Sequence, residues 1–292
     1  MTQPLLLAPE RHLVEPFKTQ LLKWIGNKQR VAHEIIRHFP PDYRTYLEPF
    51  LGSGAVMGTL APESGRGSDV YGPLVGIFQQ LHAGPEVLIG WYAARHALIA
   101  QMGKVAAYEH VLAHFNAAPN PADFVFLTRA CYGGVVRFRA ADGYMSTPCG
   151  AHQPITPAAF AQRVHLWAAR LAGCTFAHRD YREAFAEARL GDLIYCDPPY
   201  VHSQTILYGA QKFDVAELFG AVEAAANRGV RVAVSLDGRK KSSADALHID
   251  IPDGLFARTE FVDVGISMLD RFQSGGMIMD SADVHDRLLL TY

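Results

Sequence analysis

A carboxylate, two prolines and an aromatic residue, Asp197-Pro198-Pro199-Tyr200, follow the apolar run from Leu193 to Cys196. The run predicts a buried strand, and the prolines stiffen its exit because proline fixes φ and donates no N–H. The Asp197 carboxylate and the Pro198 carbonyl can each accept one N–H of an exocyclic NH2, while Tyr200 stacks on the ring that carries it. Asp-Pro also starts ordinary turns, so the rest of the chain must decide between the two interpretations. The chemical interpretation is a site that orients a planar amine as a weak nucleophile.

A second chemical pattern lies between Tyr46 and Val56, where a strand-like start leads into Gly52-Ser53-Gly54 and an apolar helical stretch. Glycines at such a turn let a ligand approach the backbone. Gly58 does not complete the spacing of a dinucleotide-binding motif, so the pattern does not predict a phosphate-binding turn.

Three motifs in this order resemble the class D12 adenine-N6 DNA methyltransferases, the family that contains the Dam enzymes. Leu22 to Lys28 is similar to the family's Lys-Trp-x-Gly-x-Lys motif. Glu48 to Val56 is similar to its Glu-Pro-Phe-x-Gly-x-Gly motif, and Asp197 to Tyr200 to its catalytic motif. Together with a hairpin segment and the closing stretch from Arg287 to Tyr292, the resemblance extends over nearly the whole chain.

The resemblance implies an α/β fold: a Rossmann-like sheet of the kind found in methyltransferases that use S-adenosylmethionine (SAM), with an inserted target-recognition domain. It implies that SAM donates the methyl group to adenine N6, and that the base leaves the duplex at a cost of about a few kcal/mol. Asp69 would accept from the ribose hydroxyls of the donor, Asp180 from its adenine amine, and Tyr181 would pack on that ring. The remaining residues expected to line the donor site are Trp24, Lys28, Phe50, Gly52 and Gly54.

Periodicity predicts a helix from Lys18 to Phe39 and a first core strand from Thr45 to Phe50. Glu63 to Ser68 is rich in glycine and charge and is a poor strand sequence, although the resemblance requires a strand ending at Asp69. The pattern from Pro73 to about Thr128 is helical, with breaks that indicate a bundle. Later segments predict alternating strands and helices and a closing edge pair: Cys174–Asp180, Tyr181–Leu190, Asp214–Asn227, Val230–Leu236, Thr259–Val264 and Asp286–Tyr292.

We therefore expect residues 1–72 and 173–292 to form the catalytic domain and residues 73–172 a target-recognition insertion. Within that insertion, apolar and basic residues alternate from Gly133 to Arg139, reach a turn at Ala141-Asp142-Gly143, and return to Thr147. This pattern predicts a hairpin at about 134–147. The resemblance makes Arg137 a base-contacting residue, and a guanidinium can bind guanine bidentately in the major groove.

Composition agrees with a cytoplasmic enzyme. The chain has 292 residues and 49% hydrophobic content, and no stretch resembles a membrane span or secretory signal. The four cysteines have no CxxC spacing and the thirteen histidines no metal-binding pairing, so we expect no metal.

The net charge of the whole chain, −2, argues against a nucleic-acid partner. Binding depends on the local charge, however, and local basic clusters can still bind double-stranded DNA. Lys23, Arg137 and Arg139 are the expected DNA contacts. The clusters are Lys23, Lys28 and Arg30; Arg129, Arg137 and Arg139; and Arg239, Lys240 and Lys241.

Two other functions stay open on the sequence. An N4-cytosine DNA methyltransferase acts on an amine of the same geometry, although that class more often has Ser in place of Asp197. A catalytically silent DNA-binding relative would need no intact amine site. The recognition sequence, a cognate restriction endonuclease and the choice between a monomer and a weak dimer are not determined by one sequence.

Overall fold

The computed structural model describes residues 12–24, 26–199, 213–236, 249–263 and 285–292. Seven strands in these ranges form a single sheet. They are β1 (Tyr46–Glu48), β2 (Gly65–Asp69), β3 (Cys174–His178), β4 (Leu193–Cys196), β5 (Arg231–Leu236), β6 (Arg258–Asp263) and β7 (His285–Leu290).

The strand order is β3-β2-β1-β4-β5-β7-β6. The first five strands are parallel, and β7 runs antiparallel to both β5 and β6. Alternate residues of each central strand face opposite sides of a sheet, and both sides are apolar here. Tyr46 and Tyr195 enter one core, while Leu47 and Ile194 enter the other. This is the predicted Rossmann-like α/β sheet with an antiparallel edge pair.

Nine helices lie in the described ranges: α1 (Ala32–Ile36), α2 (Ala55–Leu60), α3 (Gly72–Ala83), α4 (Pro85–Met102), α5 (Lys104–Ala117), α6 (Pro121–Ala130), α7 (Pro157–Arg170), α8 (Tyr181–Glu187) and α9 (Val215–Ala226). Helices α3 to α7 all fall between β2 and β3, and α3 to α6 match the helical pattern predicted from Pro73 to about Thr128. Pro121 and Pro157 occupy first turns, and the side chains of Asn120 and Thr156 cap them. Among the described residues, none of the helices combines the length and apolar character that a bilayer crossing requires.

The predicted helix from Lys18 to Phe39 is wrong over most of its length. Helix α1 is only five residues long, and the described residues before it are irregular, with Gly26 at φ 72°. Three carbonyls near the start of this segment accept hydrogen bonds from side chains of α6 and α7. The pairs are Trp167 Nε1 with Thr19 O (2.9 Å), Arg163 with Gln20 O (2.9 Å) and Arg129 with Leu21 O (2.8 Å).

Arg129 is therefore not part of a basic surface patch. It is 6% exposed and anchors the N-terminal segment to α6. Burial, with the nearby positive charge of Arg163, lowers the pKa of Arg129 to about 10. The third predicted patch, Arg239 to Lys241, lies outside the described residues.

Strand β2 forms despite its poor strand composition. A Cβ on Gly65 would lie 2.6 Å from Cys174 Sγ, and one on Gly67 would lie 2.9 Å from the Phe176 ring. Both contacts are closer than real Cβ atoms make, so these glycines let β3 side chains pack across the strand. The strand ends at Asp69, where the resemblance requires it to end.

Candidate active site

A cleft open to solvent lies where the parallel strands β1 and β4 end. The carboxyl edge of a parallel sheet is where α/β proteins bind ligands, because loops diverge there on either side of the sheet. Residues from three of the sequence motifs line it together. They include Trp24, Asn27, Lys28, Glu48, Phe50, Gly52, Ser53, Tyr195 and Asp197.

Lys28 joins the first motif to the catalytic motif. Its Nζ lies 3.0 Å from Asp197 Oδ1 and 3.2 Å from Asp286 Oδ2, and its side chain is 8% exposed. Burial on its own lowers the pKa of Lys28, but the charges of Asp197 and Asp286 outweigh it and raise the pKa above the usual range. Lys28 is therefore a buried ammonium ion held between two carboxylates, and not a surface cation.

Glu48, at the end of β1, is a second acidic group in the cleft. Its Oε2 accepts a hydrogen bond from the Tyr46 hydroxyl at 2.7 Å, and the residue is 3% exposed. Burial raises the pKa of Glu48 to about 8, and the charge of Asp197 adds to the rise. At neutral pH Glu48 is therefore mostly an uncharged acid beside the charged Lys28 and Asp197.

The glycine turn after β1 is fixed by Asp69 at the end of β2. The carboxylate of Asp69 accepts backbone N–H groups from Gly52 and Tyr71, each at 3.0 Å. Gly52 and Gly54 have φ of 48° and 65°, which side chains adopt rarely. A Cβ on Gly52 would come within 3.3 Å of Trp24 Nε1, so glycine keeps this wall of the cleft open.

Two other predicted donor-site residues, Asp180 and Tyr181, are not among the residues that line the cleft. Phe50 stacks on Tyr181, with ring centroids 5.1 Å apart. Asp180 caps α8 by accepting the Arg182 N–H at 2.9 Å, within a capping box completed by Glu183. The geometry thus gives Asp180 a structural role, and its contact with a donor stays a prediction. Tyr200 lies outside the described residues.

The predicted hairpin consists of two short arms that are joined by few backbone hydrogen bonds. Phe138 and Met145 form an isolated antiparallel bridge, and the backbone N–H of Arg139 donates to Tyr144 O at 2.9 Å. Arg137 and Arg139 are exposed, and Phe138 between them is buried. The guanidinium of Arg139 is paired with Asp142 at 2.7 Å and lies 4.1 Å from the Tyr144 ring centroid.

Lys23 connects the hairpin to the first motif. Gly134, with φ of 69°, lies so close to it that an added Cβ would be 2.6 Å from Lys23 Cβ. The same short segment thus places Lys23 against the start of the hairpin and Trp24 and Lys28 in the cleft.

Sequence reasoning missed three residues of the site. Glu48 was quoted within a motif but given no role, although a glutamate at the end of an apolar strand is the signal that would have found it. Asn27 lines the cleft with a buried Nδ2 that has no hydrogen-bond partner among the described residues. Asp286 lies near the start of the closing strand β7, and nothing local in its sequence links it to Lys28.

Comparison with known families decides the wider assignment. The family model of the D12 class N6 adenine-specific DNA methyltransferases matches residues 24–227. The chain belongs to this family. The match contains both the Lys28 motif and the Asp197 motif, so the residues that meet in the cleft are the ones that the D12 resemblance rests on.

Curated relatives carry names in keeping with the D12 family. The retron Ec67 DNA adenine methylase of Escherichia coli is 29% identical over 187 residues, covering 62% of this chain and 63% of the relative. The chain thus spans a little under two thirds of that relative. The DNA adenine methylase of Vibrio cholerae is 28% identical over 227 residues, covering 73% of this chain and 79% of the relative.

Among solved structures, the rRNA methyltransferase aviRa from Streptomyces viridochromogenes aligns over 97% of both chains. The TM-score is 0.41 and the sequence identity 14%. Such a likeness gives no information on the substrate, and the D12 fold assignment rests on the strand order and the family match.

Proposed function

We propose that this D12-family chain transfers a methyl group from SAM to the N6 amine of an adenine rotated out of duplex DNA. The observation that carries the proposal is Asp197. It leaves the end of β4 at the cleft, is 19% exposed, and is held by the buried ammonium of Lys28. A fixed carboxylate at this edge is what recognition of an exocyclic amine requires.

The cleft suits the donor at both ends. Trp24 and Phe50 supply aromatic walls, and the Gly52 turn gives backbone access. The Asn27 Oδ1 accepts a hydrogen bond from the Gln29 backbone N–H at 2.6 Å. This contact fixes the orientation of the amide, so the Nδ2 group of Asn27 points away from Gln29. That buried donor needs an acceptor, and the carboxylate of an amino-acid ligand provides one.

Asp69 supports the donor site through the backbone as well as by its predicted ribose contact. By holding the Gly52 N–H, it fixes the turn against which a nucleoside would lie. Tyr181 supports Phe50 in the same indirect way, by stacking behind it. These contacts support donor-binding roles for Asp69, Gly52, Phe50 and Tyr181, because each shapes the wall of the cleft or the turn next to it.

SAM, when bound, supplies a methyl group already activated by the positive charge on sulfur. The chain has to position the amine, whose nitrogen lone pair is delocalised into the purine ring. The Asp197 carboxylate and the Pro198 carbonyl accept hydrogen bonds from the two N–H groups of the amine. They thereby favour a tetrahedral nitrogen whose lone pair lies out of the ring plane. Pro199 stiffens this edge, and Tyr200 is expected to stack on the base.

The nitrogen gains positive charge as it is methylated, and the Asp197 carboxylate stabilises that charge. The extra proton leaves N6 afterwards, so no general base is assigned.

The helices and hairpin of residues 73–172 act as the target-recognition domain, and residues 1–72 and 173–292 as the catalytic domain. Arg137 is the base-reading arginine. Arg139 is less suited to bidentate reading, because Asp142 already occupies its Nε and Nη2. Arg139, on the hairpin, and Lys23, which packs against the start of the hairpin, contact the phosphate backbone of the DNA.

The direct test is transfer of a labelled methyl group from SAM to duplex DNA, RNA and protein, followed by digestion of the DNA to nucleosides. The proposal predicts label in N6-methyladenine of duplex DNA alone. Label in N4-methylcytosine would support the cytosine alternative, and DNA binding without any transfer would support a silent reader. Sequencing the methylated bases in the DNA of an expressing host then gives the recognition sequence.

A further inference from the structure

Asp286 reaches the cleft because β7 is reversed. In the register of the sheet, Leu236 at the end of β5 pairs with Arg287, so Asp286 lies just beyond the carboxyl edge of the parallel strands. Asp197 lies at the same edge, directly after β4. The reversed strand β7 thus delivers a carboxylate to the site, although it contributes no residue to the amine-binding motif.

The contact between Asp286 and Lys28 is buried on both sides. The Asp286 side chain is 9% exposed and that of Lys28 is 8% exposed, with 3.2 Å between Oδ2 and Nζ. A buried carboxylate is costly unless it is paired, and Lys28 already has a partner in Asp197. A structural ion pair would need only one of these two carboxylates, so the second requires an explanation.

The explanation lies in the charge of the group. Among the described groups, the two carboxylates of Asp197 and Asp286 and the one ammonium of Lys28 sum to a charge of −1. Glu48 does not add to it near neutral pH, since burial raises the pKa of Glu48 to about 8. The Tyr195 hydroxyl, which also faces Lys28, is hydrogen-bonded to Ser235 Oγ at 2.9 Å. Without Asp286, the sum over these described groups would be less negative by one charge.

We infer that Asp286 is a positioning residue that makes the Asp197 site more negative for methyl transfer to an amine. It shares the positive charge of Lys28, so that Asp197 remains a strong acceptor toward the nitrogen on which positive charge develops. Asp286 itself does not touch the substrate. The inference rests on the proposed function, because the added negative charge helps only a substrate nitrogen that becomes cationic as it receives the methyl group.

The test compares Asp286→Asn, which removes the charge, with Asp286→Glu, which keeps it. Methyl transfer to DNA gives kcat and KM, and calorimetry with S-adenosylhomocysteine, which lacks the sulfonium charge, reports whether the donor site is intact. For Asp286→Asn we expect kcat to fall about tenfold or more, with S-adenosylhomocysteine affinity within about twofold of wild type. Asp286→Glu should recover most of kcat.

Glu260→Gln is the matched control, because it removes one negative charge from the neighbouring strand β6 at a position that is 36% exposed. It should leave kcat unchanged. The inference is overturned if Asp286→Asn keeps wild-type kcat, if Asp286→Glu is as impaired as Asp286→Asn, or if Asp286→Asn no longer binds S-adenosylhomocysteine. A wild-type protein that methylates no DNA adenine would refute the proposed function instead, whatever the variants do.

Discussion

Glu48 shows how one buried side chain links stability to the site. It ends β1, is 3% exposed and has Tyr46 as its hydrogen-bond partner. Burial raises the pKa of Glu48 to about 8. The folded chain therefore holds this proton between about pH 4.5 and 8, where the unfolded chain has released it. The free energy of unfolding must then fall as pH rises through this window.

Replacing Glu48 by Gln should remove that dependence, because the amide does not titrate. Urea unfolding at pH 6 and pH 8 measures it. We expect wild type to lose stability over this interval at up to about 1.4 kcal/mol per pH unit relative to Glu48→Gln. Glu63→Gln, at an exposed position, is the control and should keep the wild-type slope. Parallel pH curves for wild type and Glu48→Gln would show that Glu48 is ionised in the folded chain.

At the scale of elements, β2 depends on the absence of side chains. Gly67→Ala would bring a Cβ within 2.9 Å of Phe176 and 3.0 Å of Leu51. We expect a loss of about 1–3 kcal/mol in the free energy of unfolding, because the strand must shift or its neighbours must change rotamer. Thermal or urea unfolding checks this value.

The matched control for that prediction is Gly220→Ala in α9, where an added Cβ meets nothing within 4 Å. It should stabilise the chain by about 0.5–1 kcal/mol, because alanine is the better helix former. Equal effects of the two substitutions would refute the packing explanation for β2.

These elements also show what a sequence can reveal. Helices α3 to α6 were predictable because local periodicity and prolines define them. The irregular backbone around Thr19 to Leu21 was not, because its carbonyls accept hydrogen bonds from side chains more than a hundred residues away. Asp197 was identifiable from its own motif. The pairing of Lys28 with Asp286 was not, because only the reversed β7 brings these residues together.

At the scale of the whole molecule, the first motif connects the cleft to the insertion. Lys23 packs against Gly134 at the start of the hairpin, and Lys28 enters the cleft a few residues later. One short segment of the chain therefore contacts both the hairpin and the cleft.

Arg137→Ala tests this division between domains. We expect KM for duplex DNA to rise about tenfold or more, since a bidentate base contact contributes about 1–3 kcal/mol, while S-adenosylhomocysteine affinity is unchanged. Arg189→Ala removes the same charge from an exposed position just before β4, at the opposite edge of the sheet, and should alter neither quantity. Loss of donor affinity in Arg137→Ala would contradict a role confined to DNA.

Single-turnover methyl transfer by Asp197→Asn tests the central claim most directly. The substitution keeps the shape of the side chain but removes the charge that faces Lys28 at 3.0 Å. With S-adenosylhomocysteine binding within about threefold of wild type, the account predicts that the rate of N6-methyladenine formation falls at least about 100-fold. A rate near that of wild type would contradict it, because the carboxylate of Asp197 would then have no part in holding the amine.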